Sequence, residues 1–183
     1  MAVTPEHTTL LLPELSPAPR VLIVCAPYYK AIADGLVAGA EATLAEVGAN
    51  VERIDVPGAL EVPTAIKLAS DAHVFEGFVA LGCVIRGETT HYETVCNDSS
   101  RGLALLGLEG LCIGNGILTV ETMAQAEVRA DPAGQNKGGG AAAACLHLIG
   151  LKRRFRPLPG HGRPLPEGED FLLAGASSLG RTA

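Results

Sequence analysis

A cation, a glycine, two threonines and a histidine lie together in the run RGETTH at residues 86–91. Backbone N–H groups around a glycine turn can bind a phosphate group, and an imidazole can take up and release a proton near neutral pH. We therefore take Gly87 to Thr89 as a candidate anion-binding turn and His91 as a candidate general base. A histidine in a loop is more often an ordinary surface residue, so this interpretation requires other site residues to converge on His91.

Two further segments carry residue types that suit a binding site. The run PGALEVP at residues 57–63 combines two prolines and a glycine in a sharp bend before a helix. Glu61 is either a ligand there or simply an acid that the helix dipole favours in a first turn. Tyr28 and Tyr29 interrupt an aromatic-poor chain, and a tyrosine ring there either stacks on a heterocycle or fills the core.

Arg129 and Lys137 are candidate anion ligands that are equally compatible with ordinary surface positions. Arg129 is predicted on the helix after the fourth strand, and Lys137 follows a flexible turn at residues 131–134. The sequence contains no GxxxxGK[ST], no GxGxxG after a strand, no HExxH and no GxSxG. Kinase, dehydrogenase, zinc-protease and hydrolase functions are therefore excluded on motif grounds.

The elements that must position these residues alternate between strand and helix. Short apolar or β-branched runs predict strands at residues 21–26, 51–56, 77–83 and 111–118, the second being interrupted by charges. Apolar stripes and Ala-rich segments predict helices at residues 32–47, 63–70, 95–106, from about 121, and 139–150. We expect acids in the first turn of the helix near Glu121 and the end of the last helix at Gly150.

This alternation predicts the fold class. Right-handed crossovers between successive strands give a three-layer α/β/α sandwich with a four-stranded parallel, flavodoxin-like sheet, because four strands are too few to close a barrel. Ligands bind such sheets beyond the carboxyl ends of the strands. The site is therefore expected in the segments at residues 26–29, 57–62, 83–91 and 114–119.

Composition narrows the class of protein further. The 183 residues suit one domain, and the formal charge of −6 argues against a nucleic-acid or anionic-membrane partner. No apolar run approaches the roughly 20 residues of a membrane helix, and the N-terminus lacks the basic-then-apolar order of a signal peptide, so we expect a cytoplasmic protein. The five scattered cysteines, with no CxxC pair, are predicted to be buried reduced thiols.

The sequence predicts three parts along the chain. Residues 1–19, with four prolines, are expected to form an extended arm, and residues 20–156 to form the folded domain. Residues 157–183 are rich in Pro and Gly and are predicted to be disordered. The basic run at residues 152–156 either touches RNA or ends a solvated helix, and its fit to a helix C-terminus favours the second interpretation.

Three motifs in this order carry a resemblance to a known family. They are VPGALEVP, GCVIRGETTHYETVCNDSSRGL, and Arg129 followed by Asn136-Lys137-Gly138. Together they resemble the lumazine synthase family over about residues 20–156. The resemblance implies condensation of 5-amino-6-ribitylamino-uracil with 3,4-dihydroxy-2-butanone 4-phosphate to 6,7-dimethyl-8-ribityllumazine, with release of phosphate and water. It implies no metal and no organic cofactor.

The resemblance also implies roles for individual residues. The residues that it places beside the heterocycle and ribityl chain are Tyr28, Leu60, Glu61, Val62, Val84 and Ile85. The implied phosphate turn consists of Gly87, Glu88 and Thr89. His91 corresponds to the general base and Arg129 to the cation that pairs with the phosphate. Asn115 and Lys137 correspond to positions that a neighbouring subunit contributes, so the implied site lies between subunits.

The implied partners are small-molecule substrates and further copies of the chain, as a homopentamer or a multiple of pentamers. The alternative is a catalytically weak oligomeric scaffold that binds a flavin or lumazine without turnover, and a flavodoxin-like electron carrier is a third hypothesis. The presence of both His91 and Arg129 favours the enzyme over these alternatives.

Overall fold

The computed structural model describes residues 10–156, within which the chain forms four strands and five helices. The strands are β1 (Arg20–Cys25), β2 (Asn50–Asp55), β3 (Gly77–Ile85) and β4 (Cys112–Val120). The helices are α1 (Lys30–Glu46), α2 (Glu61–Ser70), α3 (His91–Leu108), α4 (Met123–Ala130) and α5 (Lys137–Arg154). Each strand is followed by a helix, as the apolar pattern predicts.

All four strands pair in parallel, in the order β2-β1-β3-β4. The central strands β1 and β3 are apolar throughout most of their length because both of their faces are covered. β2 lies at one edge and is exposed over most of its residues, which explains the charges that interrupt its sequence. The predicted flavodoxin-like parallel sheet is confirmed.

Helices cover both faces of the sheet and form the two outer layers. Because successive strand residues point to opposite faces, Ile23 packs into a core with α1, α4 and α5. Its neighbours Leu22 and Val24 pack into a second core with α2 and α3. The parallel crossovers bring the carboxyl ends of the strands to the same edge, where the loops at residues 26–29, 56–60 and 86–90 meet.

The start of α4 differs from the prediction. The helix begins at Met123, and the hydroxyl of Thr122 caps it by accepting a hydrogen bond from the backbone N–H of Gln125 at 3.3 Å. Glu121 therefore precedes the helix, and the expectation of acids in its first turn was wrong. β4 also continues to Val120, so residues 114–119 lie within the strand rather than beyond it.

The last helix, α5, is longer than predicted at both ends. It continues four residues past Gly150, so the expected stop at that glycine was wrong. Lys152 donates a hydrogen bond to the carbonyl of Gly110 at 2.8 Å, and Arg153 pairs with Glu76, also at 2.8 Å. These contacts anchor the basic residues at the helix C-terminus, where positive charge is favourable.

The segment at residues 10–19 contains neither helix nor strand, and Pro13 lies beside Gly150 of α5. Leu12 and Leu15 pack against the core, and the carbonyl of Pro17 accepts a hydrogen bond from Arg153 at 2.8 Å. The beginning of the predicted arm, residues 1–9, and the whole predicted tail, residues 157–183, lie outside the described residues.

All five cysteines are free thiols, and four of them are buried, as the sequence predicts. Cys96, on α3, is half-buried instead. Among residues 10–156, no helix combines the length and apolar character that a membrane span requires.

Candidate active site

A cavity of about 420 Å³ opens at the carboxyl edge of the sheet. Its walls come from the ends of β1 and β3, the loop after β2, and the first turns of α2 and α3. The lining residues are Ala26, Tyr28, Tyr29, Pro57, Gly58, Ala59, Leu60, Glu61, Cys83, Val84, Ile85, Gly87, Thr89, His91, Tyr92 and Val95. The volume lies within the range of about 300–1,000 Å³ that is typical of small-molecule sites.

The loop after β2 turns sharply enough to form one wall of the cavity. Backbone hydrogen bonds join Val56 N–H to the Cys25 carbonyl at 2.8 Å and Glu61 N–H to the Gly58 carbonyl at 3.2 Å. A Cβ atom at Gly58 would lie only 3.0 Å from a carboxylate oxygen of Glu61, so a glycine keeps this turn open for the acid. Leu60, 37% exposed, and Glu61 both border the cavity.

The turn after β3 forms the opposite wall. Val84 and Ile85 are half-buried at the end of β3, and residues 86–90 are exposed before α3 begins at His91. The hydroxyl of Thr89 accepts a weak 3.4 Å hydrogen bond from the backbone N–H of His91. The turn therefore leads directly into a helix N-terminus, where backbone N–H groups and the helix dipole favour an anion.

Two tyrosines follow β1 at the rim of the cavity. Their rings meet edge to face, with centroids 5.0 Å apart and planes at 74°. Tyr28 is 75% exposed, which leaves ring surface available for a planar ligand. Burial raises the pKa of Tyr29, so its phenol stays neutral and able to donate a hydrogen bond at physiological pH.

The charge lining the cavity is sparse. Among residues 10–156, no lysine or arginine side chain borders the cavity, and its one carboxylate is Glu61. Burial raises the pKa of the Cys83 thiol to about 11, so this cysteine is a neutral wall residue rather than a nucleophile at neutral pH. Within one copy, an anionic ligand would therefore meet backbone dipoles and the His91 imidazole, but no lysine or arginine among the described residues.

The structure brings eight of the thirteen predicted site residues to this cavity. They are Tyr28, Leu60, Glu61, Val84, Ile85, Gly87, Thr89 and His91. Val62 does not line it, because its side chain is fully buried in the core with α2 and α3. Glu88 belongs to the turn but is exposed away from the lining.

The other three predicted residues lie elsewhere on the chain. Asn115 is exposed on edge strand β4, where its side-chain oxygen accepts a hydrogen bond from Ile117 N–H at 3.0 Å. Arg129 is in the last turn of α4 and donates to the Gln125 carbonyl at 3.1 Å. Lys137 is the exposed first residue of α5. Within one copy, none of these three borders the cavity.

Sequence reasoning missed several wall residues. Cys83, Tyr92 and Val95 all line the cavity but were not among the predicted site residues. Val95 follows His91 by four positions on α3, so helical spacing could have identified it, whereas Tyr92 at the next position lies outside that spacing rule. Cys83 precedes Val84 near the end of β3 and could be inferred only from the position of the strand end.

A second cavity, of about 450 Å³, opens at the amino ends of the strands. Two of its basic side chains are already engaged in ion pairs: Lys67 pairs with Asp71, and Arg153 pairs with Glu76. Parallel sheets bind ligands at the other edge, so the cavity beside His91 is the candidate active site.

A parallel α/β sheet with a glycine-containing turn, an imidazole and an aromatic rim at its carboxyl edge defines a flavodoxin-like domain with a candidate small-molecule site. Comparison with known proteins is more specific. The protein-family model for 6,7-dimethyl-8-ribityllumazine synthase matches residues 18–153 of this chain. The chain therefore belongs to the 6,7-dimethyl-8-ribityllumazine synthase family.

Individual relatives agree with this assignment. A 6,7-dimethyl-8-ribityllumazine synthase of a Jannaschia species is 51% identical over 166 residues, covering 91% of this chain and 93% of the relative. Proteins with the same name from Novosphingobium aromaticivorans and Azorhizobium caulinodans are 54% and 57% identical. Each covers 74% of this chain, with 98% and 87% of the relative matched, respectively.

Proposed function

We propose that this chain is a transferase of riboflavin biosynthesis that condenses 5-amino-6-ribitylamino-uracil with 3,4-dihydroxy-2-butanone 4-phosphate. The product is 6,7-dimethyl-8-ribityllumazine, and phosphate and water are released. The observation that carries the proposal is the convergence of His91, the turn at 87–89 and the loop at 57–61 on one cavity, in a chain of this family.

The two halves of the cavity suit the two substrates. The side chains of Tyr28, Leu60 and Ile85 offer apolar and aromatic surface, which suits a planar pyrimidine ring, and Glu61 offers a hydrogen-bond acceptor to a polyol chain. The turn containing Gly87 and Thr89 suits the phosphate of the second substrate. Bound in this way, the amine and the ketone meet between the two walls.

His91 is the proposed proton carrier of the reaction. Imine formation and phosphate departure both move protons, and the imidazole lies at the start of α3, beside the turn proposed to bind phosphate. We further propose that holding the two reactive substrates together supplies most of the acceleration. His91 then assists a reaction that orientation already favours.

The missing positive charge supports an oligomeric site. A phosphate ester is an anion, yet within residues 10–156 no lysine or arginine borders the cavity. Arg129 and Lys137 lie outside it in the same copy, and Asn115 is exposed on the edge strand. We propose that a neighbouring copy supplies these three residues, within a homopentamer or a multiple of pentamers in the cytoplasm.

The activity itself is tested by mixing purified protein with both substrates and following the absorbance of the lumazine. We expect its formation to depend on protein and to release one phosphate per product. Protein that retains a flavin or lumazine but forms no product would instead support the scaffold alternative. Yellow protein that exchanges electrons would support the electron carrier.

The shared site is tested by complementation between two impaired variants, assayed at a low concentration of the phosphate substrate. Copies carrying His91→Gln and copies carrying Arg129→Gln are co-refolded in equal amounts and assayed together. If each site uses His91 of one copy and Arg129 of another, random assortment in a ring restores about one quarter of the sites. Activity of the mixture equal to the mean of the separate variants would contradict a shared site.

A further inference from the structure

Arg86 stands immediately before the turn proposed to bind phosphate, yet its side chain is engaged elsewhere. Its Nε donates to a carboxylate oxygen of Glu121 at 2.6 Å, and its Nη1 donates to Glu93. The guanidinium carbon lies 4.1 Å from the centroid of the Tyr92 ring, and the backbone N–H donates to the Val120 carbonyl at 3.0 Å.

We propose that Arg86 is a positioning residue, which fixes the turn at residues 87–90 and the first turn of α3, and is not a ligand of the substrate phosphate. The inference rests on the proposed function of the same cavity. Arg86 is the cation nearest to that turn in the sequence.

The charges around Arg86 argue against a ligand role. Its single positive charge faces two carboxylates. The hydrogen bond with Glu93 raises the pKa of Arg86 most, and the hydrogen bond with Glu121 raises it further. The same contact with Arg86 lowers the pKa of Glu93, so the pair stays ionised over the physiological range. The Tyr92 ring also lies against the guanidinium. An incoming phosphate would have to displace these partners against the repulsion of both acids.

The partners of Arg86 belong to the elements that build the cavity wall. Glu93 and Tyr92 are in the first turn of α3, next to His91, and Tyr92 itself lines the cavity. Glu121 follows β4, and its backbone N–H donates to the Gln125 side chain at 2.9 Å. Arg86 therefore ties the end of β3 to the start of α3 and to the end of β4.

Such a tie is expected to affect catalysis more than folding. Exposed ion pairs contribute little to global stability. A displacement of about 1 Å in a reacting group, however, can reduce a rate by about 100-fold. Loss of Arg86 would let His91 and the adjacent turn move relative to the loop at 57–61, without opening the core.

The test compares Arg86→Gln, Glu121→Gln and the double variant in steady-state kinetics with both substrates. Arg20→Gln is the matched control, since Arg20 also forms an exposed ion pair, with Glu52 at 2.7 Å. Its guanidinium likewise lies near an aromatic ring, Phe75, at 5.6 Å. Arg20 begins β1, at the opposite edge of the sheet from the cavity.

We expect Arg86→Gln to lower kcat by about 10- to 100-fold while the KM for the phosphate substrate changes by less than about threefold. Glu121→Gln should also lower kcat. The double variant should be no slower than Arg86→Gln, because both substitutions break the same ion pair between Arg86 and Glu121. Arg86→Lys should recover part of kcat, since it keeps the charge but not both hydrogen bonds. Arg20→Gln should leave both kinetic constants unchanged.

Two results would overturn the proposal. A raised KM for the phosphate substrate with unchanged kcat, together with tighter phosphate binding in Glu121→Gln, would make Arg86 a ligand. Kinetics of Arg86→Gln that match Arg20→Gln would leave it without a role. If even the unmodified protein forms no lumazine, the proposed function fails, and the positioning role of Arg86 is tested by NMR instead. The signals of the His91 ring should shift in Arg86→Gln and not in Arg20→Gln.

Discussion

Replacing one glycine of α5 by alanine should destabilise the protein, whereas the same change two residues later should stabilise it. A Cβ atom at Gly138 would lie 2.7 Å from the carbonyl carbon and 2.9 Å from Cα of Leu36, on the backbone of α1, and closer still to the carbonyl oxygen. At Gly140 a Cβ atom would meet nothing within 4 Å. The two glycines belong to one run, yet only the first lies at a helix contact.

The magnitudes follow from two opposing effects. Alanine is favoured over glycine within a helix by up to about 1 kcal/mol, so Gly140→Ala should raise the free energy of unfolding by roughly 0.5–1 kcal/mol. At Gly138 the same gain is offset by overpacking, which typically costs about 1–3 kcal/mol and more where backbone must move. The obstructing atoms are backbone, so the two variants should differ by about 2–4 kcal/mol.

Thermal denaturation at equal protein concentration measures this difference. For a chain of this length, about 1 kcal/mol corresponds to roughly 2–4 °C, so the midpoints should differ by roughly 4–16 °C. Gly138→Ala should also weaken activity if Lys137 acts at a neighbouring site, because α5 must move from α1 to admit the methyl group. Equal midpoints for the two variants would refute the argument from close helix packing.

Four further outcomes follow from the structure. His91→Ala should slow lumazine formation by no more than about 100-fold, the lower end of a general base's contribution, and complete loss in a folded variant would contradict the role given to orientation. Arg129→Ala should mainly raise the KM for the phosphate substrate, with a smaller change in kcat in the same assay. Thr122→Ala should cost about 1 kcal/mol in urea denaturation by removing the cap of α4. Burial raises the pKa of Cys25 to about 11 and of Cys145 to about 12, against 9.0 when exposed. The unfolded thiols ionise first, so stability should be full below about pH 9 and fall as the pH rises to about 11 for Cys25 and about 12 for Cys145, with a smaller slope in Cys25→Ala.

Much of the cavity could be predicted because its residues occupy short segments with clear local signals. Tyr28 follows the apolar run of β1 and Val84 lies near the end of the run of β3, and parallel pairing must place such ends at one edge. The loop at 57–61 and the turn at 87–89 therefore converge with His91 on one cavity. Local pattern and the rule of right-handed crossovers were sufficient for this result.

The exact ends of the helices were harder to predict, and the end of α5 depends on contacts between residues distant in the sequence. α5 continues past Gly150 because Arg153 finds Glu76, 77 positions earlier, and because Lys152 reaches the Gly110 carbonyl. The basic run indicated a helix C-terminus near residues 152–156, but no pattern inside the helix identifies these distant partners. The start of α4 was misplaced because Thr122 competes with Glu121 as the boundary, and the observed cap favours the threonine.

The sequence by itself determined the alternation of elements, the parallel sheet, the family and most of the cavity wall, because these follow from periodicity and from short contiguous motifs. Only the tertiary structure decided which charges are free to meet a ligand. Arg86 is adjacent in sequence to the proposed phosphate turn, but its carboxylate partners stand 7 and 35 positions away and occupy its guanidinium. The availability of a charge depends on what surrounds it in space, which the order of residues along the chain does not specify.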